Sequence, residues 1–310
     1  MRGLKTIQAA NFNCVFGKEK RAMLKEFKNI IFPAFSTGKK EYKNSMIKKF
    51  FFKEVKIFDS NLGYCLYGKI IKDINLVVKN RLDTKENLID VDVKVPSAPY
   101  SEFIIILKNH RMLFVPSQPG SPTLYDFKNL IKHSIKSIIR NNDIREEKRR
   151  LTFELEIFEI PQEILLEQKL SKVKDIEFFK FEIQPQNSKI FDDNYFRELE
   201  EARKEIGASK IEQKIIKPTC VERIKKMVLN LKDMAHYSLK VREPGKEWET
   251  IKNSTYKKEI EHYFDETKTN DENIKIAVDS VAGQDKRLSE FDKENTLVYN
   301  EVIEEVKKLQ

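Results

Sequence analysis

The chain has 310 residues, of which 40% are hydrophobic and 35% charged, a composition typical of a globular protein. Its three cysteines, Cys14, Cys65 and Cys220, are scattered and odd in number, which argues against a disulfide framework or a CxxC zinc site. The first residues lack the apolar core of a signal peptide, and no apolar run approaches the ~18 residues of a membrane span. We therefore expect a cytoplasmic protein that does not enter membranes.

The charge is distributed unevenly along the chain. Residues 1–150 contain 30 Lys and Arg against 15 Asp and Glu, a net charge of +15, whereas residues 151–310 contain 28 against 34, a net charge of −6. Basic surfaces attract polyanions such as nucleic acid. Lysine outnumbers arginine 45 to 13, which is also typical of an AT-rich genome, so amino-acid usage is an alternative origin of the basic character.

We predict an α+β fold that begins with a basic, strand-rich domain over residues 1–145, mainly an antiparallel sheet with one long helix. Alternating and helical apolar spacings, turn residues and prolines define its elements. These are a strand over 4–16, a helix over 18–31, a basic loop over 36–44, strands over 49–58, 63–74 and 88–95, a hairpin over 102–115 and a helix over 123–140.

A second, alternating α/β domain is predicted over residues 146–245, and a polar extension over 246–310. The second domain follows a β-α-β-α-β-α-β order, which is typical of a sheet layered with helices. Its predicted strands cover 151–160, 176–183, 211–216 and 237–241, and its helices 161–171, 192–206 and 219–234. In the extension we expect a short strand over 274–278 and a terminal helix over 296–309.

Five basic residues are the candidates for contacting nucleic acid. We select them because they lie in the positively charged half of the chain, in predicted loops, turns and strand starts, and they are Lys39, Lys40, Lys48, Lys49 and Arg111. Phe50, Phe51 and Phe52 stand among these lysines, and aromatic faces can stack on unpaired bases while lysines follow the backbone. Such phenylalanines also commonly belong to the core. His110 and Arg111 are expected to be exposed in the hairpin turn.

One carboxylate pattern has the composition of a metal-dependent nuclease site. Asp90, Asp92 and Lys94 alternate along a predicted strand, so they are expected to share one face. In such enzymes two carboxylates hold Mg²⁺ and the lysine stabilises the attacking water. The alternative is that these residues form the solvated face of a one-sided sheet.

Other catalytic and cofactor signatures are missing from the sequence. It contains no GxxxxGK[ST], GxGxxG or GxSxG segment, and its four histidines have no metal-ligand spacing. We therefore predict no cofactor and no resident metal.

Several segments resemble an uncharacterised family of bacterial proteins. They are the hairpin IIIL-KNHR-MLFV, the strand LSKVKDIEFFKFEIQPQN, the unit ELEEARKEIGASKIEQKI and the strand MAHYSLKVREPGK, within residues 45–260. The resemblance implies a small cytosolic protein encoded among mobile-element or phage-defence genes. It implies no catalytic residues.

Together these patterns favour a non-catalytic or regulatory nucleic-acid-binding protein, with a place in anti-phage defence. A Mg²⁺-dependent nuclease is one alternative. A protein-interaction or phage-sensing subunit, whose basic half docks a protein partner, is another. The sequence does not fix the oligomeric state.

Overall fold

A computed structural model shows an α+β fold built on two antiparallel sheets, with a separate two-stranded hairpin over residues 145–150. The structure describes residues 3–42, 47–187, 191, 193–231, 233–265, 267–284 and 286–310. The strands are β1 (Leu4–Phe16), β2 (Arg21–Ala22), β3 (Lys39–Glu41), β4 (Ile47–Ser60), β5 (Gly63–Leu82), β6 (Leu88–Ser97), β7 (Tyr100–Ile106), β8 (Arg111–Pro116), β9 (Arg145–Glu146), β10 (Arg149–Arg150), β11 (Phe153–Glu159), β12 (Asp175–Ile183), β13 (Ile211–Ile216), β14 (His236–Arg242), β15 (Glu249–Lys252) and β16 (Glu259–Tyr263). The α-helices are α1 (Phe32–Ser36), α2 (Leu124–Asn141), α3 (Glu163–Lys172), α4 (Asn194–Glu205), α5 (Val221–Leu231), α6 (Asn270–Gln284), α7 (Lys286–Ser289) and α8 (Lys293–Lys307).

Strand β1 organises the larger sheet, whose order is β11-β1-β8-β7-β5-β4-β3. It pairs with β11 along residues 10–16, with β16 along residues 4–8 and with β8 on its other side. The sheet therefore combines strands from both ends of the chain. The boundary predicted at residues 145/146 is wrong, because β11 belongs to this sheet, and the supposed extension returns to it through β16.

Helix α2 covers one face of the larger sheet. It begins at a capping box in which the Asp126 amide donates to the Thr123 hydroxyl at 3.2 Å and the Thr123 amide donates to the Asp126 carboxylate at 2.9 Å. The centroid of the Phe127 ring lies 5.0–6.3 Å from five other rings, those of Phe12, Phe35, Phe52, Phe103 and Phe114. The predicted long helix and its apolar face are confirmed.

The opposite face is covered by α6. Ile274, Ala277, Val278 and Val281 are buried against it at the i, i+3, i+4, i+7 spacing of a helix. The short strand predicted over 274–278 is therefore wrong, since a five-residue window cannot distinguish the two periods when its apolar residues also fit a helix.

The smaller sheet has the order β13-β12-β14-β15, and all of its pairs are antiparallel. Helices α3, α4 and α5 supply apolar residues to the core on one face, with Leu166, Phe196 and Val228 buried there. The alternation of strands and helices predicted for this part of the chain is confirmed, except that its first strand joined the larger sheet.

Strands β5 and β6 extend from the larger sheet as a two-stranded ribbon, which we call the arm (residues 74–97). The strand over 88–95 is confirmed, but the burial of one face that its alternating pattern predicts is wrong. Among the described strands β6 pairs with β5 alone, and Leu88, Val93 and Val95 are 71%, 49% and 42% exposed. Its apolar residues alternate as in a covered strand, although no described helix or sheet covers them.

The segment before Pro33 is helical but irregular. The predicted helix over 18–31 is observed as a 3-10 turn over Met23–Glu26 followed by a π-helical turn over Phe27–Ile31, which leads into α1 with Pro33 in its first turn. The basic loop predicted over 36–44 contains strand β3 in its described part.

Replacing Phe127 tests how far the position of α2 depends on this ring. We expect Phe127→Ala to lower the free energy of unfolding by about 3–5 kcal/mol, because it leaves a cavity among five aromatic rings. Tyr125→Ala on the same helix is the matched control, since Tyr125 is 73% exposed, and its effect should stay within about 0.5 kcal/mol. Denaturant unfolding measures both, and equal effects would contradict this packing.

Candidate nucleic-acid interface

A groove of about 560 Å³ lies between the carboxyl-terminal half of α2 and the chain that leads into β11. Among the described residues, four basic side chains line it together with apolar and hydroxyl groups, and no carboxylate does. The lining residues are His133, Lys136, Ser137, Ile139, Arg140, Arg150, Leu151, Thr152 and Phe153. We call this feature the basic groove.

The packing of α2 determines which side chains face the groove. Leu130, Ile131 and Ile135 are buried on the sheet. His133, Lys136 and Arg140 follow an i, i+3, i+7 spacing on the other side of the helix and are exposed. Burial of one face thus presents three basic side chains together on the opposite one.

Glycine 38 brings Lys40 to the same helix. A Cβ atom at this position would lie 2.4 Å from the Ala34 carbonyl oxygen and 2.6 Å from the Ser134 hydroxyl of α2. Only glycine allows the chain to pass this close to both. Two residues further on, Lys40 lies near enough to His133 to influence its protonation.

The charges around the basic groove are not neutralised by acidic neighbours. Burial, followed by the positive charges of Lys40, Arg140 and Lys136, lowers the pKa of His133 below its ordinary value. Within the part of the chain that the structure describes, Lys136, Arg140 and Arg150 form no ion pair. These cations are therefore free to meet an anionic ligand.

The predicted lysines are divided between the two faces of the sheet. Lys39 lies 3.6 Å from Glu41, and Lys49 lies 3.8 Å from Asp73 with its ammonium 5.2 Å from the centre of the Phe51 ring. Lys40 alone among them lies beside α2, its ammonium 5.1 Å from the centre of the Tyr42 ring. The side chain of Lys48 lies outside the described part of the structure.

The predicted aromatic stacking platform is mostly core. Phe50 and Phe52 are buried at 3% and 4% exposure, and the Phe52 ring packs 5.7 Å from that of Phe127. Phe51 points to the other face and is half-buried. The alternation of side chains along β4 therefore leaves one of the three rings near solvent.

Arg111 is not an exposed turn residue, and the expectation that His110 and Arg111 face solvent is wrong. Both are buried, at 1% and 6% exposure, because Asn109 donates hydrogen bonds to the carbonyls of Leu288 at 2.8 Å and Glu290 at 3.2 Å, which brings a distant segment over the turn. Burial and then the charge of Arg111 lower the pKa of His110 to about 3. His110 is therefore a neutral side chain at physiological pH.

Arg111 instead connects the two sheets. Its guanidinium forms a buried ion pair with Asp233, which lies just before β14 of the smaller sheet. Nearby, Asn13 of β1 donates to the Pro185 carbonyl at 2.7 Å and accepts from the Asn187 amide at 2.9 Å. Arg111, predicted to contact nucleic acid, thus stabilises the contact between the larger and smaller sheets.

The candidate nuclease residues lie on the arm. Val78 pairs with Val93 and Asn80 with Asp90, so a register shift places two residues of β6 opposite one of β5. Asp90 consequently lies on the opposite face from Lys94, which pairs with Val77. The expected common face for Asp90, Asp92 and Lys94 is wrong.

Asp90, Asp92 and Lys94 are also exposed to solvent rather than enclosed in a cleft. Asp90 accepts a 2.5 Å hydrogen bond from the Asn80 amide, while Asp92 and Lys94 are exposed. Over the described residues, no group of three or more His, Cys, Asp or Glu side chains is placed to hold a metal ion.

A larger cavity, of about 830 Å³, lies between the turn after β1 and α4, and it has mixed charge. Three of its cations form ion pairs: Lys18 lies 3.0 Å from Glu147, Lys20 lies 2.6 Å from Glu154, and Arg203 lies 2.7 Å from Glu200. Glu19 and Glu201 also line it. The basic groove is therefore the better candidate for a polyanion, although it is the smaller cavity.

Comparison with protein-family models, with curated proteins and with solved structures gives no match for this chain. Among the described helices, none combines the length and the apolar character that crossing a bilayer requires. The interpretation of the basic groove therefore rests on its own residues.

The buried pair of Arg111 and Asp233 makes a prediction about stability. We expect Arg111→Ala to lower the free energy of unfolding by about 3–5 kcal/mol, because it leaves the Asp233 carboxylate buried without this cation. Arg242→Ala removes an exposed ion pair with Asp175 and should cost less than about 1 kcal/mol. Chemical denaturation compares the two, and an equally small loss for Arg111→Ala would contradict the structural role.

Proposed function

We propose that this protein binds nucleic acid through the basic groove and performs no reaction on it. The observation that carries the proposal is the gathering of Lys136, Arg140 and Arg150, with Lys40 nearby, around a groove that no carboxylate of the described residues lines. Lys and Arg side chains supply the phosphate contacts that dominate affinity for nucleic acid. Arginine adds planar, bidentate recognition of phosphate oxygens.

The apolar part of the groove favours a single strand over a duplex. Leu151 and the half-buried Phe153 line it beside the cations, and unpaired bases bind on such surfaces while their phosphates contact basic groups. The Phe153 ring stacks on Phe16, with ring centres 5.9 Å apart, so it is held in place before a ligand arrives. A rigid ring loses little entropy when a base packs against it.

Genome-wide lysine usage can explain how many lysines the chain has. It does not explain why cations without acidic partners lie together around one groove. Two of the groove cations are arginines, and elsewhere on the surface lysines such as Lys18 and Lys210 lie within 3.0 Å of glutamates. Enrichment in lysine without selection for binding would spread the cations over the surface, among acidic side chains that can pair with them. A cluster of cations that form no ion pair within the described residues is better explained by binding of an anion.

As part of the same proposal, we place the protein in the cytoplasm. The buried thiols of Cys14 and Cys65 are unpaired, and Cys220 is a free exposed thiol, which is typical of a reducing compartment such as the cytoplasm. The resemblance to proteins encoded among phage-defence genes adds a defensive role, in which the nucleic acid is an invader's or a regulatory strand.

A paired charge reversal on α2 tests the proposal. We expect Lys136→Glu with Arg140→Glu to weaken binding of a fluorescent single-stranded oligonucleotide by at least about tenfold, and to reduce the slope of log affinity against log salt by about 2. Lys226→Glu is the matched control, because Lys226 is an exposed lysine on α5 of the smaller sheet. Fluorescence anisotropy at several salt concentrations measures both quantities.

Two results would contradict the proposal. One is that the unmodified protein gives no salt-dependent binding to either single-stranded DNA or RNA. The other is that the double variant and the Lys226→Glu control bind alike. Circular dichroism spectra that match those of the unmodified protein establish that the variants are folded.

A further inference from the structure

A smaller cavity, of about 180 Å³, lies where β8 begins, between β1, the chain after β12 and the segment that leads into α8. Its described lining residues all differ from those of the basic groove. Six amide side chains line it, together with His110, Arg111, two carboxylates and one phenyl ring. The six amides of the described residues are Asn11, Asn13, Asn109, Gln186, Asn187 and Asn295. We call this feature the amide cavity.

His110 is the most unusual residue of the amide cavity. Its backbone lies in the left-handed region, with a φ of 58°, which is costly for residues other than glycine. Its side chain is buried, and within the described residues neither ring nitrogen has a hydrogen-bond partner. Buried polar groups without partners are destabilising. A histidine that brings both costs to a turn indicates a role other than stability.

The amide cavity is rich in hydrogen-bond acceptors. Asn11 donates from its side-chain nitrogen to the Asp233 carbonyl oxygen at 3.2 Å. Gln186 donates in the same way to the Met234 carbonyl oxygen at 2.9 Å. Because carbonyls only accept, these bonds fix the amide nitrogens against the protein and leave the side-chain oxygens to accept from a ligand. The Asn295 side-chain oxygen is buried and also has no partner in the described part of the chain.

Two carboxylates and an aromatic ring complete the lining. Asp292 caps α8 by accepting a hydrogen bond from the Glu294 amide at 2.7 Å. Glu290 is exposed and forms no ion pair within the described residues, so its carboxylate can accept from a ligand. Phe291 is 37% exposed, and the Lys108 ammonium lies over one face of its ring, 4.2 Å from the centre. A planar ligand would stack on the other face.

We propose that the amide cavity binds a single unpaired nucleobase, and that guanine is the base it prefers. Guanine carries adjacent N1–H and N2–H donors on its Watson–Crick edge, which match the two oxygens of the Glu290 carboxylate as a pair of arginine N–H groups does. Its O6 and N7 atoms are acceptors for the N–H of the neutral His110 ring. Phe291 stacks on the plane of the base, as aromatic side chains do on unpaired bases.

Other small ligands match these groups less well. Glu290 and Asp292 repel anions such as inorganic phosphate. A polyamine offers donors alone, so it would leave the N–H of the His110 ring without an acceptor. Adenine presents its N1 acceptor where guanine presents the N1–H donor, so it cannot form the paired bonds with Glu290. The mixture of acceptors, one neutral imidazole and a stacking ring therefore favours guanine.

Free nucleosides test the amide cavity without any phosphate. A ligand-observed NMR titration of the full chain should give guanosine a dissociation constant below about 1 mM. Inosine, which lacks the N2 amino group, and adenosine should bind at least about tenfold more weakly, because each leaves an acceptor of the site unpaired. Since guanosine has no phosphate, failure of this experiment would overturn the base site and leave the proposal for the basic groove unaffected.

A conservative change tests the carboxylate. We expect Glu290→Gln to weaken guanosine binding at least about tenfold, because it replaces one acceptor oxygen by a donor. Glu294→Gln is the matched control, since Glu294 is an exposed glutamate of α8 that is not among the described residues lining the amide cavity. Equal affinities for the two variants would contradict the role of Glu290.

Asn295→Leu separates binding from structure. It removes a buried oxygen that has no partner in the described part of the chain, so the midpoint of thermal unfolding should stay the same or rise. Guanosine binding should weaken severalfold, because an acceptor of the site is lost. A lower midpoint with unchanged guanosine binding would show that Asn295 is structural and would contradict the proposal.

Competition with a single strand identifies the source of the base. A thymine oligonucleotide with one central guanine should displace guanosine if the base comes from nucleic acid, whereas displacement by free guanine nucleosides alone assigns the site to small molecules. An oligonucleotide of thymine only should displace nothing. Absence of guanosine binding, equal affinity for all the nucleosides, or displacement by spermidine or inorganic phosphate would each overturn the proposal.

Discussion

The ring of Phe127 contacts five other phenylalanine rings between α2 and the larger sheet, and the geometry of the candidate interface depends on this contact. A helix that buries one face must present the other to solvent. In α2 that other face has His133, Lys136 and Arg140 in successive turns. The aromatic core thus determines where the cations stand, and Gly38 adds Lys40 by letting the chain pass against the helix.

Strand β1 imposes the second constraint, because it pairs with strands from the first, middle and last parts of the chain. The larger sheet therefore closes only when residues near position 260 have returned to it. The smaller sheet is inserted between β11 and β16, and it is held against the larger one by the buried pair of Arg111 with Asp233 and by the amides around Asn187. The basic groove is lined by α2, by Arg150 of β10 and by the segment that leads into β11 of the larger sheet.

Elements with a strong local period were predictable from the sequence. Helix α2, the β7–β8 hairpin and β13 follow from apolar spacing and turn residues within short windows. The exposure of side chains was not predictable in the same way. Arg111 resembled a turn residue because its cover comes from residues about 180 positions later, and Val93 resembled a core residue because nothing in a strand's own sequence shows where the sheet beneath it ends.

Part of the candidate site could be predicted from the sequence. The i, i+3, i+7 spacing of His133, Lys136 and Arg140 is a signal on the polar face of a helix whose apolar face was recognised. The lysines selected instead lie in the most basic segment, but net charge along a chain does not show which cations already have acidic partners. Lys39 and Lys49 have them, whereas Lys40 has none within the part of the chain that the structure describes. The pairing of β4 with β5 places Asp73 beside Lys49, and the extended conformation of β3 places Glu41 on the same side as Lys39.

Photo-cross-linking followed by peptide mass spectrometry tests the central claim, that the basic groove holds nucleic acid, most directly. A single-stranded oligonucleotide containing a photoreactive base is irradiated in complex with the full chain, and the cross-linked peptides are identified. We expect cross-links within residues 133–153, including Phe153, and in the segment around Lys40. Cross-links confined to the arm, to α4 or to the smaller sheet, with none in the groove, would contradict it.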